Sequence, residues 1–161
     1  MSREAAVWKA LATVSDSEIP AISVVDLGVI GDVSFKGERL TVELLPTFVG
    51  CPAIEVMRHD IAERLAPLAD EVVVDVTFSP PWTSDRITAA GRERLRESGF
   101  APPVAVPAIA GLDELSVLPI AECPYCGSRN TMLENAFGPT LCRAIYHCAA
   151  CRQPFEQFKR I

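Results

Sequence analysis

Six cysteines carry most of the chemistry that this sequence offers, and five of them follow residue 122. The first pair, Cys123-Pro-Tyr-Cys126, is the tetrapeptide of a dithiol oxidoreductase, but it is also one half of a tetrahedral metal site. A dithiol enzyme needs this pair at the start of a helix, where the helix N-terminus stabilises the thiolate. The residues that follow, Gly-Ser-Arg-Asn, favour a turn. The local sequence therefore favours a metal site.

A second pair, Cys148-Ala-Ala-Cys151, lies downstream and gives the spacing C-x2-C-x21-C-x2-C. This is close to a zinc ribbon, in which roughly 15–20 residues separate the pairs. A module of about 40 residues cannot bury enough surface to fold alone, so a structural zinc would stabilise it. Iron in a rubredoxin-like site is the alternative, because four thiolates suit both metals. We predict one metal on Cys123, Cys126, Cys148 and Cys151.

Two further side chains in the tail are not predicted as ligands. Cys142 alternates with Ala144 and Tyr146 along a predicted strand, which favours a small buried side chain. His147 precedes Cys148 and is interpreted as a histidine on the strand surface.

Cys51 stands far from this cluster, directly before a helix that Pro52 begins. A thiolate there would face the positive end of the helix dipole, which lowers a cysteine pKa and makes a reactive thiol. Glu55 would oppose the anion, and cysteines are often simply buried, so both interpretations stay open. His59 and Asp60 follow on the same helix and are interpreted as surface residues.

Composition limits the functions that this chain can have. Hydrophobic residues make up 49% and charged residues 22%, a balance typical of globular domains. The net charge of −6 repels phosphate backbones and anionic lipid surfaces, so neither nucleic acid nor a membrane is an expected partner. The sequence shows neither a signal peptide nor an apolar run long enough for a membrane span. We expect a cytoplasmic protein, whose thiols stay reduced.

The first hundred residues have the periodicities of an α+β domain. The predicted order is a helix at 4–14, strands at 29–35 and 39–45, a helix from Pro52 to about Pro67, a strand at 71–78, and a helix capped by Thr83 or Ser84 and ended by Gly99. The crossover through the second helix makes the last two strands parallel. The fold expected for residues 1–100 is therefore a small three-stranded mixed sheet with helices.

The remaining chain divides into a connection and a small module. Residues 101–119 contain Pro102, Pro103, Pro107 and Pro119, a composition typical of a linker, and its apolar residues indicate that it lies against a surface. Residues 120–161 are predicted as the four-cysteine zinc ribbon, with short strands at 130–133, 141–146 and 154–158.

Several short motifs carry a resemblance to known families. The stretches DSEIP, DLGVI, TFVGCP and PWTS, which begin at Asp16, Asp26, Thr47 and Pro81, resemble the iron–sulfur assembly domain of SufT-like proteins. The tail, with CPYCGS, FGPTLCRAIYHC and CRQPFEQFK, resembles the PaaD (PaaJ) family of the phenylacetyl-CoA epoxidase system. Ser17 stands where the assembly family usually has proline, and Arg160 where PaaD tails often have cysteine.

The resemblance implies an accessory protein that matures a multicomponent oxygenase by assisting iron or iron–sulfur cluster assembly, without turning over the thioester itself. It implies that Cys51 is the reactive or cluster-handling thiol and transiently binds iron or a cluster. Thr47, Asp16, Glu18 and Asp26 would line its pocket. The implied partners are the oxygenase and reductase subunits and iron–sulfur assembly proteins. An architectural oxygenase subunit and a thiol–disulfide oxidoreductase using Cys123 and Cys126 are the alternatives.

Overall fold

The computed structural model describes residues 2–104 and 120–161, and the chain forms two compact units. The first unit spans Met1–Arg94 and the second spans Leu95–Ile161, so the boundary falls inside the last helix. No helix within the described residues combines the length and the apolarity needed to cross a bilayer.

The first unit alternates helices with a three-stranded sheet. Its elements, in chain order, are α1 (Arg3–Leu11), β1 (Ile30–Lys36), β2 (Arg39–Leu44), α2 (Ala53–Leu65), β3 (Glu71–Val76) and the start of α3 (Ala89–Glu97). Strand β2 is central, antiparallel to β1 and parallel to β3. The predicted mixed sheet and the parallel pair across the helical crossover are confirmed.

The core of this unit follows from alternation along β2. Leu40, Val42 and Leu44 are fully buried, whereas the residues between them are half-buried. A strand turns alternate side chains to opposite faces, so one face of the sheet carries the core. The helices contribute Val7, Leu11, Met57, Ile61 and Leu65, all of them buried. Burial of one such side chain contributes about 1.5–3 kcal/mol.

The start of the last helix differs from the prediction. Neither Thr83 nor Ser84 caps it, because residues Ser84–Arg86 form a short 3-10 turn and α3 begins only at Ala89. The Thr88 hydroxyl accepts a hydrogen bond from the Gly91 N–H (2.9 Å) and so satisfies one of the free amides of the first turn. Gly99 follows the helix with a φ of 85°, as the predicted terminator requires.

The loop before β1 is tied to α3 through Asp26. Its carboxylate accepts hydrogen bonds from the hydroxyls of Ser23 (3.0 Å) and Thr88 (2.9 Å) and pairs with Arg94 (3.0 Å). Trp82 is buried against the same loop and donates from Nε1 to the Leu27 carbonyl (3.2 Å), so it packs between elements of the first unit.

The second unit is a four-stranded sheet in the order β4-β7-β6-β5. Its strands are β4 (Phe100–Ala101), β5 (Thr131–Asn135), β6 (Arg143–Cys148) and β7 (Pro154–Phe158). The three ribbon strands lie close to their predicted positions. Strand β4 was not predicted; it lies at the start of the expected linker, most of which (105–119) lies outside the described residues.

The two faces of this sheet differ in what they bury. On one face the Tyr146 and Phe155 rings stack with centroids 5.7 Å apart, within a core that also includes Cys148. On the other face Arg143 is buried and pairs with Glu156 (2.9 Å). The apolar core is small, which agrees with the predicted need for a structural metal.

Two glycines of the first unit differ in how closely other residues approach them, and this difference can be tested. Both Gly28 and Gly37 have a positive φ, which costs an alanine roughly 1–2 kcal/mol. A Cβ at Gly28 would lie 2.3 Å from the Arg86 carbonyl oxygen, whereas one at Gly37 would meet nothing within 4 Å. We expect Gly37→Ala to lower the free energy of unfolding by about 1 kcal/mol and Gly28→Ala by about 3 kcal/mol or more.

Urea unfolding followed by tryptophan fluorescence measures this difference, because both tryptophans, Trp8 and Trp82, lie in the first unit. Equal losses in the two variants would contradict the close approach of Gly28 to the turn at Arg86.

Candidate functional sites

Four thiols converge at one end of the second unit. The Sγ atoms of Cys123, Cys126, Cys148 and Cys151 all lie within 4.8 Å of one another. The Cys123–Cys151 sulfur distance is 3.7 Å and the Cys126–Cys148 distance is 3.6 Å. A tetrahedron with zinc–sulfur bonds of about 2.3 Å has edges of about 3.8 Å. The four side chains therefore fit one tetrahedral ion, and their arrangement matches that of a zinc ribbon.

Two turns of the same shape, the first knuckle (residues 123–127) and the second knuckle (residues 148–152), present these thiols. Gly127 donates a hydrogen bond to the Cys123 carbonyl (2.9 Å), and Arg152 donates to the Cys148 carbonyl (2.8 Å). Both residues have a left-handed backbone conformation, with φ values of 71° and 61°. The sequence analysis missed the role of Arg152 in this turn. Its position directly after the second cysteine pair, equivalent to that of Gly127 after the first, could have indicated it.

The second knuckle stabilises a thiolate. The backbone N–H groups of Cys151 and Ala150 hydrogen-bond to the Cys148 sulfur and lower the pKa of that thiol to about 6. A deprotonated sulfur is the form that binds a metal. Cys148 is also fully buried at the end of β6, so the strand fixes its position.

The other side chains considered as possible ligands, in the tail and in the first unit, lie outside this group of thiols. Cys142 is half-buried just before β6, and its sulfur lies 3.1 Å from the Thr140 hydroxyl. The prediction that Cys142 is a buried strand residue is therefore only partly correct. His147 pairs in register with Met132 on β5, as a strand residue. In the first unit His59 and Asp60 lie beside Glu63 on the surface of α2.

Cys51 lies half-buried at the start of α2, as its sequence position indicates. Of the two interpretations that the sequence leaves open, a lowered pKa is not supported, because burial raises the pKa of the Cys51 thiol. The N–H groups of Ala53 and Ile54 oppose this rise, whereas the carboxylates of Asp16 and Glu18 add to it. The helix start alone therefore does not make Cys51 a thiolate.

The loop that carries these two carboxylates is held by Asp16. Asp16 is buried, and its Oδ1 accepts hydrogen bonds from the N–H groups of Glu18 (3.0 Å) and Ile19 (2.7 Å). This Asx turn fixes the loop in the way that a rigid proline would, although Ser17 stands at that position. Glu18 itself is exposed. The charges of both carboxylates thus act on the pKa of Cys51, although these three residues are not among the described groups whose ligand atoms lie within 4.8 Å of one another.

The other two residues predicted to line the Cys51 pocket lie in different loops of the first unit. Thr47 is half-buried in the loop that leads from β2 to Cys51. Asp26 holds the start of α3 through the contacts with Ser23, Thr88 and Arg94 described above.

Comparison with known sequences assigns both parts of the chain. The pattern of the family described as iron-sulfur cluster assembly protein matches residues 4–78, and that of the PaaD zinc beta ribbon domain matches residues 113–159. A protein of Bacillus subtilis described as the Fe-S protein maturation auxiliary factor YitW is 30% identical over 85 residues, which is 51% of this chain and 82% of that protein.

Solved structures similar to this chain share the fold of the first unit. The domain of unknown function DUF59 from Bacillus anthracis is 26% identical with a TM-score of 0.54, covering 58% of this chain and 91% of that one. A conserved hypothetical protein from Thermotoga maritima is 30% identical with a TM-score of 0.50, covering 59% and 98%.

One relative spans both parts of the chain. A protein of Escherichia coli K12 described as a subunit of 1,2-phenylacetyl-CoA epoxidase is 38% identical over 156 residues, which is 96% of this chain and 92% of that protein. The assembly-type fold, the four-thiol ribbon and this full-length similarity agree, and the chain belongs to the PaaD family of phenylacetyl-CoA epoxidase proteins.

Proposed function

We propose that this chain is an accessory maturation protein of the phenylacetyl-CoA 1,2-epoxidase, a multicomponent oxygenase of phenylacetate degradation. It assists iron or iron–sulfur cluster assembly in an oxygenase or reductase subunit, together with iron–sulfur assembly proteins, and does not convert the thioester. The names of the E. coli and B. subtilis relatives support both halves of this proposal. We place this role in the cytoplasm, where thiols stay reduced.

The observation that carries the proposal is the contrast between the two thiol sites. The tail offers four sulfur ligands, which fill the coordination sphere of a tetrahedral ion and leave no position for exchange. Cys51 offers one sulfur with the carboxylates of Asp16 and Glu18 nearby. Such a set is too small to hold a metal tightly, so a partner protein must complete it. The tail is then the structural site and Cys51 the transfer site.

A cation also explains why the chain places carboxylates beside a thiol. Negative neighbours make the thiolate harder to form, which is unfavourable for a nucleophile. They become favourable when a cation such as iron binds at the thiolate, because the positive charge offsets the repulsion between the thiolate and its negative neighbours. Thr47 completes the proposed site, and Asp26 supports it from the loop before β1.

We expect the purified protein to carry one zinc ion per chain, and Cys126→Ala to lose it. The tail should then unfold, because a structural zinc contributes on the order of 10 kcal/mol to such a module. Elemental analysis after anaerobic purification gives the metal, and limited proteolysis reports the tail. Cys142→Ala is the matched control, since this cysteine lies outside the group of four thiols. Full metal content in Cys126→Ala would refute the ligand assignment, and iron in place of zinc would indicate a rubredoxin-like site.

Glu18→Gln should have opposite effects on thiol reactivity and on iron binding. Removing the carboxylate lowers the pKa of Cys51, so alkylation at mildly alkaline pH should become several-fold faster. Ferrous ion should bind more weakly, because one negative charge near the Cys51 thiolate is lost. Residue-resolved mass spectrometry measures the first effect, and iron titration after the tail site is filled with zinc measures the second.

Glu55→Gln is the control, because the Glu55 carboxylate pairs with Arg58 (3.1 Å) on the same helix. This change should leave both properties unaltered. If Glu18→Gln accelerated alkylation and left iron binding intact, Cys51 would be a simple nucleophile and the transfer role would fail.

Cys51→Ser should keep the fold and the tail metal but fail to restore epoxidase activity in cells that lack this protein. The exchange removes little volume, and the site is half-buried, so the loss would arise from the missing sulfur. Cys142→Ser is the matched variant and should restore activity. Restoration by Cys51→Ser would instead favour an architectural subunit.

A further inference from the structure

The second half of α2 gathers a histidine and two carboxylates that belong to neither thiol site. His59, Asp60 and Glu63, here called the α2 site, lie on adjacent turns of the helix, and one ligand atom of each lies within 4.8 Å of the other two. The His59 Nε2 atom lies 3.9 Å from Glu63 Oε2. This distance is too long for a hydrogen bond, but two atoms bound to one ion at about 2.1 Å can lie up to about 4.2 Å apart. The spacing therefore suits ligands of a shared ion.

The two carboxylates of the α2 site lack a neutralising arginine or lysine. Arg64 has the spacing to pair with Asp60, four residues before it, but its Nε donates to the Thr13 hydroxyl (2.7 Å). Among the described residues neither Asp60 nor Glu63 forms an ion pair with an arginine or a lysine. Their charges repel each other, because residues three apart are neighbours on a helix surface. Glu63 also lies in the last turn of α2, where the helix dipole disfavours an anion. A bound cation would reverse both unfavourable interactions.

The α2 site also borders the open space that a partly hydrated ion requires. Asp60 and Glu63 line a groove of about 680 Å³, whose other residues include Ser15 and Ser17. A metal ion with three protein ligands keeps coordination positions for water. The groove is large enough to hold these water molecules beside the helix.

We propose that the α2 site binds one divalent first-row transition-metal ion, through the imidazole of His59 and one carboxylate oxygen each from Asp60 and Glu63. Imidazole suits iron, nickel, copper and zinc, whereas magnesium and calcium favour sites built from oxygen alone. The mixed set of ligands therefore selects the class of metal. The site shares no residue with the four thiols of the tail or with Cys51, so this inference does not rest on the proposed function.

Cobalt(II) tests the site in the full-length protein whose tail already carries zinc. Calorimetric titration should show one cobalt ion with an absorption spectrum that lacks sulfur-to-cobalt charge-transfer bands, and an equal concentration of magnesium should not displace it. His59→Gln should weaken this binding at least tenfold, because loss of even an outer-shell partner of a metal ligand costs roughly 10–100-fold. The His59 side chain is 77% exposed, so the fold should not depend on it. This variant keeps both carboxylates, so the loss would show coordination by nitrogen.

Matched variants separate coordination from general attraction to a negative helix. Asp60→Asn should weaken cobalt binding as His59→Gln does. Glu55→Gln also removes a negative charge from α2, but from a carboxylate that pairs with Arg58 (3.1 Å), and should leave the affinity unchanged. Cys51→Ser should keep the cobalt ion of the α2 site, whatever the role of Cys51.

Paramagnetic broadening in nuclear magnetic resonance spectra locates the bound cobalt and should centre on the amides of residues 59–63. Failure to bind cobalt beyond the zinc-filled tail would overturn the proposal. An affinity that is unchanged in His59→Gln would overturn it as well, as would loss of the cobalt ion in Cys51→Ser. Equal losses in Glu55→Gln and His59→Gln would also contradict it, because the binding would then be diffuse attraction to the charges of α2.

Discussion

Both thiol sites of this chain gather groups that repel one another once they lose their protons. Four sulfurs lie within 4.8 Å of one another in the tail, and Cys51 lies within the field of Asp16 and Glu18. Such groupings are unfavourable without a positive charge, because each further deprotonation adds a like charge. A bound cation reverses the sign of the interaction. The fold brings these groups together, and a bound cation would make both groupings favourable.

The two thiol sites differ in how rigidly the fold holds these groups. In the tail, two knuckles of equal shape and three paired strands fix all four sulfurs, so the site is closed and preformed. At Cys51 a buried aspartate turn fixes one carboxylate, while Glu18 remains exposed and the thiol stays half-buried. We interpret the first arrangement as structural and the second as suited to exchange. Their combination in one chain agrees with the proposed role, in which the tail is structural and Cys51 transfers iron or a cluster.

Spacing and periodicity predicted most of the architecture. The paired C-x2-C motifs indicated the ribbon because ligand spacing is a local property, and alternation along β2 indicated the sheet because one face is buried. The cap at Thr88 escaped prediction because it depends on the fixed position of Asp26, which brings Ser23, Thr88 and Arg94 together from distant parts of the chain. The pKa of Cys51 escaped it for a similar reason: the helix start is local, whereas burial and the loop at Asp16 arise only in the folded chain.

The proposed delivery of iron or clusters at Cys51 predicts a chemical difference in the partner. Oxygenase and reductase subunits should be purified from cells that contain either the wild-type chain or Cys51→Ser, and their iron and acid-labile sulfide should be measured per chain. The account predicts depleted cofactor in at least one of these proteins from the Cys51→Ser cells, at unchanged protein abundance. Full occupancy in all of them would contradict it.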